Sequence, residues 1–168
     1  MAKVAFLLAD NFEDSEFRLP YDRLRQAGHE ITVIGTEAGK EVKGKQGEET
    51  FTPEVTPDQV SPADFDALVI PGGYAPDKLR MDGGVVKFVN DIANSDKPVA
   101  AICHAGWLLA EAEVVDGRKV TSYSSIRTDL VNAGAEWVDE EVVVDGNLIT
   151  SRGPDDLDAF CSAILDAI

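Results

Sequence analysis

Four apolar residues, Val99-Ala-Ala-Ile102, follow Pro98 and run straight into a cysteine, where the sequence changes period. The run is too short for a helix, and its composition suits a strand buried on both faces of a parallel sheet. Beyond Cys103, Trp107, Leu108 and Glu111 fall at helical spacing among the helix formers Ala105, Leu109 and Ala112. Strand passes to helix through one residue, so the chain needs a sheet with helices laid on it, and Cys103 sits at the hinge. A thiol there meets unpaired N–H groups and the positive end of the helix dipole, both of which favour thiolate. Hydrolases raise a nucleophile out of a sheet on the same kind of elbow.

The remaining segments fit that frame. Lys3 to Ala9 reads as a first buried strand, followed by the turn residues Asp10-Asn11 and a helical pattern carrying Phe17, Tyr21, Leu24 and Ala27. Pro20 within that pattern predicts a helix that starts near it or bends there, and Gly28 is a good stop. Glu30 to Gly35 is a second strand, which completes a β-α-β crossover and implies a parallel sheet. Residues 36–56 predict an irregular or hairpin excursion with weak strands near Val42 and Phe51. Ser61-Pro62 starts a short helical turn, Asp66–Ile70 is a buried strand ending in Pro71-Gly72-Gly73, and Gly84–Ala93 has a helical apolar stripe. Lys119–Tyr123 reads as a strand and Ser125–Ala133 as a helix. Asp145-Gly146 between apolar alternations marks a hairpin, and Pro154 opens a last helix with Cys161 on its apolar stripe, a core position. No repeat, low-complexity tract or linker interrupts the chain, so residues 1–168 read as a single domain.

Charge excludes some partners. Thirty-one acidic residues against 15 basic give a net charge of −16, which opposes nucleic acid and anionic membrane surfaces. The apolar run Val4–Ala9 is too short and too acid-flanked for a signal peptide, and no stretch approaches a membrane span, which makes the cytoplasm the expected location. Two cysteines and two histidines show no zinc-ligand spacing, so no metal and no cofactor is expected.

In an open parallel sheet the ligand site lies off the carboxyl ends of the strands. Three segments end there with reactive chemistry: Asp10-Asn-Phe-Glu13, Gly72-Gly73 and Cys103-His104. Lowering a thiol pKa from about 8.5 to about 6 needs roughly 3.4 kcal/mol of preference for thiolate. A helix end supplies about 0.3–1 kcal/mol, and a hydrogen bond to a charged group about 1.5–3. Glu13 can close that gap only when protonated, because an ionised carboxylate would raise the thiol. Paired glycines let the Gly73 N–H approach a reacting carbonyl and form an oxyanion hole with the His104 N–H. As a base, His104 needs an unusual elbow, since neighbours at a helix start do not face each other, and a partner to orient its ring.

Asn11-Phe-Glu13-Asp14, Pro71-Gly-Gly73 with Ala75-Pro76-Asp77, Ile102-Cys-His104, Thr121-Ser-Tyr123 and Glu136–Gly146 together resemble the PfpI family of the class I glutamine-amidotransferase-like superfamily. The resemblance spans essentially the whole chain. It implies a flavodoxin-like α/β three-layer sandwich with a mostly parallel central sheet and a nucleophile elbow, assembled as a homodimer or larger oligomer. It implies Cys103 as nucleophile, His104 beside it, Glu13 hydrogen-bonded to the sulfur, and Asp77 of a second copy orienting His104 across a subunit contact. Tyr123 matches a tyrosine near the site in some members, and Gly72 and Trp107 fall at the pocket wall. Departures lie there too: Ala105-Gly106-Trp107 replaces Gly-Pro after Cys-His, and Ser124 stands where proline often follows the tyrosine. The activities implied are deglycation or glyoxalase III-like conversion of methylglyoxal or glyoxal and their early protein adducts through a Cys103 hemithioacetal. An intracellular peptidase acting on peptides is the alternative, and a redox sensor or holdase built on an oxidisable Cys103 is another of a different class.

Overall fold

A computed structural model describes residues 1–168. In chain order the elements begin with β1 (Lys3–Leu7), α1 (Asp14–Gln26), β2 (Glu30–Ile34), the hairpin strands β3 (Val42–Lys43) and β4 (Thr50–Phe51), and β5 (Ala67–Ile70). Helices α2 (Ala75–Leu79) and α3 (Gly83–Ala93) lead to β6 (Val99–Ile102) and α4 (Gly106–Glu111). Then come β7 (Lys119–Val120), α5 (Arg127–Asn132), β8 (Glu136–Trp137), β9 (Val142–Asp145), β10 (Leu148–Ser151) and α6 (Leu157–Ala167).

Six strands form the central sheet in the order β2-β1-β5-β6-β10-β9. Every pairing is parallel except β10 with the edge strand β9. All residues of β5 and β6 are buried, as expected for central strands covered on both faces. Helices α1 and α6 pack together, and α4 packs on α2, α3 and α5, so the sheet lies between helical layers in a flavodoxin-like sandwich. One apolar cluster runs from Ala2 to Ile164 through the sheet. No helix is long and apolar enough to cross a membrane.

Two elements differ from their sequence reading. Helix α1 begins at Asp14, six residues before Pro20, and runs through it without ending. Pro20 is buried, so packing of the apolar face offsets the backbone bond that its missing N–H cannot make to Glu16. The 119–123 segment contributes only the two-residue strand β7, which pairs with β8 outside the main sheet. Ser122 there accepts the indole N–H of Trp137 instead of continuing the ladder.

The hairpin is fastened by aromatic contacts. Phe17 lies edge-on to Phe6, Phe12 and Phe51, with ring centroids 5.9, 5.4 and 5.2 Å away, which joins sheet, helix and hairpin through one ring. Phe17→Ala is expected to cost about 3–5 kcal/mol in urea unfolding. Added protease should cut the 44–49 turn faster in that variant than in the wild type.

Candidate active site

Three strand ends converge at the carboxyl edge of the sheet. Strand β6 delivers Cys103, β5 delivers Gly72-Gly73, and the loop after β1 passes between Gly73 and Gly44, with Phe12 bridging to both. Backbone hydrogen bonds lock these loops together: Glu13 N–H donates to Gly72 O (3.1 Å), and Tyr74 N–H donates to Asn11 O (2.8 Å). Gly73 has φ +80°, and a Cβ on it would lie 2.4 Å from the Glu13 nitrogen, so only glycine permits this approach.

Cys103 has φ +61°, a left-handed conformation that costs a non-glycine residue free energy and persists because the flanking strand and turn hold it. That strain is the special elbow the sequence called for. It turns two adjacent side chains toward each other, bringing Sγ within 3.2 Å of His104 Nδ1. Residues Cys103–Ala105 form a 3-10 turn, and α4 starts only at Gly106 with six residues. The macrodipole of so short a helix contributes little. The backbone N–H groups of Gly73 and His104 act on the sulfur directly.

The carboxyl group against the sulfur is that of Glu16, and this corrects the expectation for Glu13. Glu16 is fully buried. Its Oε1 accepts the Gly72 N–H (2.9 Å), while Oε2 has no partner among the oxygen and nitrogen donors around it. Gly72 leaves the room: a Cβ there would lie 2.6 Å from Glu16 Oε1 and 2.7 Å from Cys103 Cβ. Burial, aided by the charge of Glu13, pushes the Glu16 carboxyl up to about 8. It is therefore protonated at neutral pH, beside the Cys103 thiol.

Glu13 serves another group. As the residue capping α1 it uses its backbone carbonyl for the helix, and its carboxylate pairs with Lys45 (2.8 Å). Nothing in the sequence distinguished these two acids, because which one enters the core depends on the helix starting at Asp14. One turn separates them, and Glu16 is the one aimed inward.

Burial, and then the charge Glu16 would carry, push the Cys103 thiol up to about 12, against the pull of the two N–H groups and Lys45. The steps near 8 and 12 belong to the Glu16–Cys103 pair, which gives up one proton readily and the second with difficulty. His104 is held below the usual imidazole range by burial and by Lys45, so its ring is neutral near pH 7.

Around the ring, Tyr123 stacks on His104 and Trp107 meets it edge-on, both with centroids 5.0 Å away. Tyr123 N–H donates to Cys103 O (3.3 Å), which seats that aromatic at the elbow. His104 Nε2 faces Ser125 Oγ at 3.1 Å. Asp77 lies exposed on α2 and makes no hydrogen bond or ion pair with His104 within its own chain. Ser125 and Lys45 are the further site residues that sequence reading missed. Lys45 comes from a turn with no pattern of its own, and Ser125 from a 3-10 turn at the start of the segment read as a helix. No group of three His, Cys, Asp or Glu side chains gathers closely enough to hold a metal.

A model of the DJ-1/PfpI family matches residues 2–167. The chain belongs to the DJ-1/PfpI family. Among its relatives, protein/nucleic acid deglycase 2 of Escherichia coli is 55% identical over 94% of this chain and 92% of its own length. General stress protein 18 of Bacillus subtilis is 52% identical over the same shares. Among solved structures, a two-domain protein of Anabaena variabilis with DJ-1/ThiJ/PfpI-like and ferritin-like domains superposes with a TM-score of 0.97 at 43% identity. That match covers 99% of this chain and 48% of the other, so this chain spans about half of that protein. Within the DJ-1/PfpI fold the elbow, the glycine pair and the buried acid occupy one sheet edge.

A carboxyl group raised from 4.5 to about 8 makes folding less favourable as pH climbs. The unfolded chain releases that proton near 4.5, and the folded chain holds it until about 8, so stability falls across that window. Glu16→Gln keeps the shape without the proton and lacks the decline. Its stability relative to wild type should therefore grow between pH 5 and pH 8, by a few kcal/mol at most, and then level off. Urea midpoints at a series of pH values read this directly.

Proposed function

We propose that this chain is a cysteine-dependent stress-protection enzyme that acts on methylglyoxal, glyoxal or the early adducts these aldehydes form on proteins. The observation that carries the reading is the elbow itself. A strained Cys103 faces a neutral His104 at 3.2 Å, with two backbone N–H groups and a proton-bearing Glu16 on its other sides. The names of the relatives, a deglycase and a general stress protein, support the same direction.

In this reading the pair loses its first proton from sulfur, leaving thiolate beside the Glu16 O–H. The sulfur lone pair attacks the aldehyde carbon, a C–S bond forms, and the C=O π pair moves to oxygen. The Gly73 and His104 N–H groups hold that oxyanion until it takes a proton, which gives a hemithioacetal. With methylglyoxal, neutral His104 removes the proton from the former aldehyde carbon and returns one to the adjacent carbonyl carbon. The hydroxyl on the first carbon gives up its proton to become C=O, and the second oxygen takes one to become hydroxyl. The first carbon is oxidised as the second is reduced, so no external oxidant enters. Water then hydrolyses the resulting thioester to free the thiol and a hydroxy acid. The strongly acidic chain disfavours anionic substrates and suits these neutral dicarbonyls.

The proposal includes a homodimer or larger assembly in the cytoplasm. Asp77 of a second copy would come to His104 in that assembly, and its exposure on α2 supports a role outside its own chain.

Cys103→Ser is expected to lower methylglyoxal consumption at least 10²-fold, since the alkoxide needed for the same attack is far harder to form. Unchanged turnover in that variant contradicts the proposal. No turnover in the wild type, together with selective peroxide oxidation of Cys103 by intact mass, transfers the site to redox sensing.

A further inference from the structure

The turn joining β3 to β4 is built on a buried carboxylate. Asp14, only 2% exposed, accepts the Gln46 N–H at Oδ1 (2.8 Å) and the Glu48 and Glu49 N–H groups at Oδ2 (2.9 and 2.8 Å). Gly44 belongs to the same device, because a Cβ there would lie 2.3 Å from the Asp14 carboxyl carbon. Taking a carboxylate out of water is costly unless its lone pairs are used, and here three backbone amides use them. Such an investment fixes the turn in one position relative to the start of α1.

Lys45 is what the turn presents. Its own N–H donates to Phe12 O (2.8 Å), its Nζ reaches Glu13 Oε2 (2.8 Å), and the ammonium lies 5.3 Å from the centre of the Tyr74 ring. Phe12 bridges to Gly73 and Glu13 bonds to Gly72, so the ammonium is anchored to the same backbone that faces the sulfur.

We propose that Lys45, held by Asp14 through the 44–49 turn, is the fixed positive charge of the Cys103 site, stabilising the thiolate and keeping His104 a neutral imidazole. The inference rests on Cys103 being the reacting group and is independent of which carbonyl it attacks. The ionisable groups around the sulfur are Glu13 and Glu16 from the start of α1, His104 beside it, Tyr74 and Tyr123 at the rim, and Lys45. Among these Lys45 supplies the positive charge, since His104 is neutral. Its field opposes burial at Cys103 and adds to burial at His104. Asp14 is a positioning residue, with no contact to substrate.

The test reads Cys103 alkylation against pH, with neutral iodoacetamide and anionic iodoacetate as probes and Cys161 replaced by alanine to leave one thiol. Lys45→Met should raise the alkylation midpoint by about one unit, slowing the reaction about tenfold at neutral pH. It should also lower the iodoacetate-to-iodoacetamide rate ratio, because Glu13 is left unpaired. Lys45→Arg should retain both the midpoint and the ratio. Asp14→Asn, checked for a native circular dichroism spectrum, should move both in the direction of Lys45→Met. A Lys45→Met profile that superimposes on wild type overturns the proposal, as does an equal loss in Lys45→Arg. A wild-type profile in a folded Asp14→Asn overturns the role given to the turn. None of these readings requires turnover of methylglyoxal, so failure here is separate from failure of the proposed activity.

Discussion

A buried acid and a buried thiol that titrate as one pair govern this site. Glu16 enters the core with one oxygen satisfied by a backbone amide and the other bare. A carboxylate in that position would be an uncompensated charge beside a sulfur that must itself become negative. Protonation removes the conflict and converts the acid from a repelling group into a hydrogen-bond donor. The thiolate the account requires is therefore a property of the pair rather than of the cysteine alone.

The surrounding structure serves that pair. Gly72 is side-chain-free because Glu16 and Cys103 occupy the space a Cβ would need, and Gly73 is so because the 11–13 loop passes against it. The positive φ at Cys103 stores strain that the parallel sheet, buried on both faces around β5 and β6, is able to hold. The aromatic group centred on Phe17 ties the hairpin to α1, and so holds the turn bearing Lys45 against the same edge.

Much of the architecture was legible from short-range chemistry. Continuous apolar runs marked the buried parallel strands, Asp145-Gly146 marked the β9–β10 hairpin, and the change of period at Cys103 marked the elbow. Convergence of Cys103, His104 and the glycine pair followed from topology, because strand ends in such a sheet face one edge. The choice between Glu13 and Glu16 was not legible. It turns on the first residue of α1, where Pro20 gave a misleading signal and one turn of helix decides which carboxyl is buried. Lys45 arrives from a turn, where sequence carries no periodicity to announce which way a side chain points, and Ser125 from a 3-10 turn where the segment read as a helix begins.

The most direct test compares the pH dependence of Cys103 alkylation in the wild type and in Glu16→Gln. If Glu16 bears the proton and donates it toward sulfur, the amide is a weaker donor. The midpoint should then rise, with alkylation slower at neutral pH. Alkylation that becomes faster in Glu16→Gln would mean that an ionised Glu16 had been repelling the thiolate, and would contradict the account.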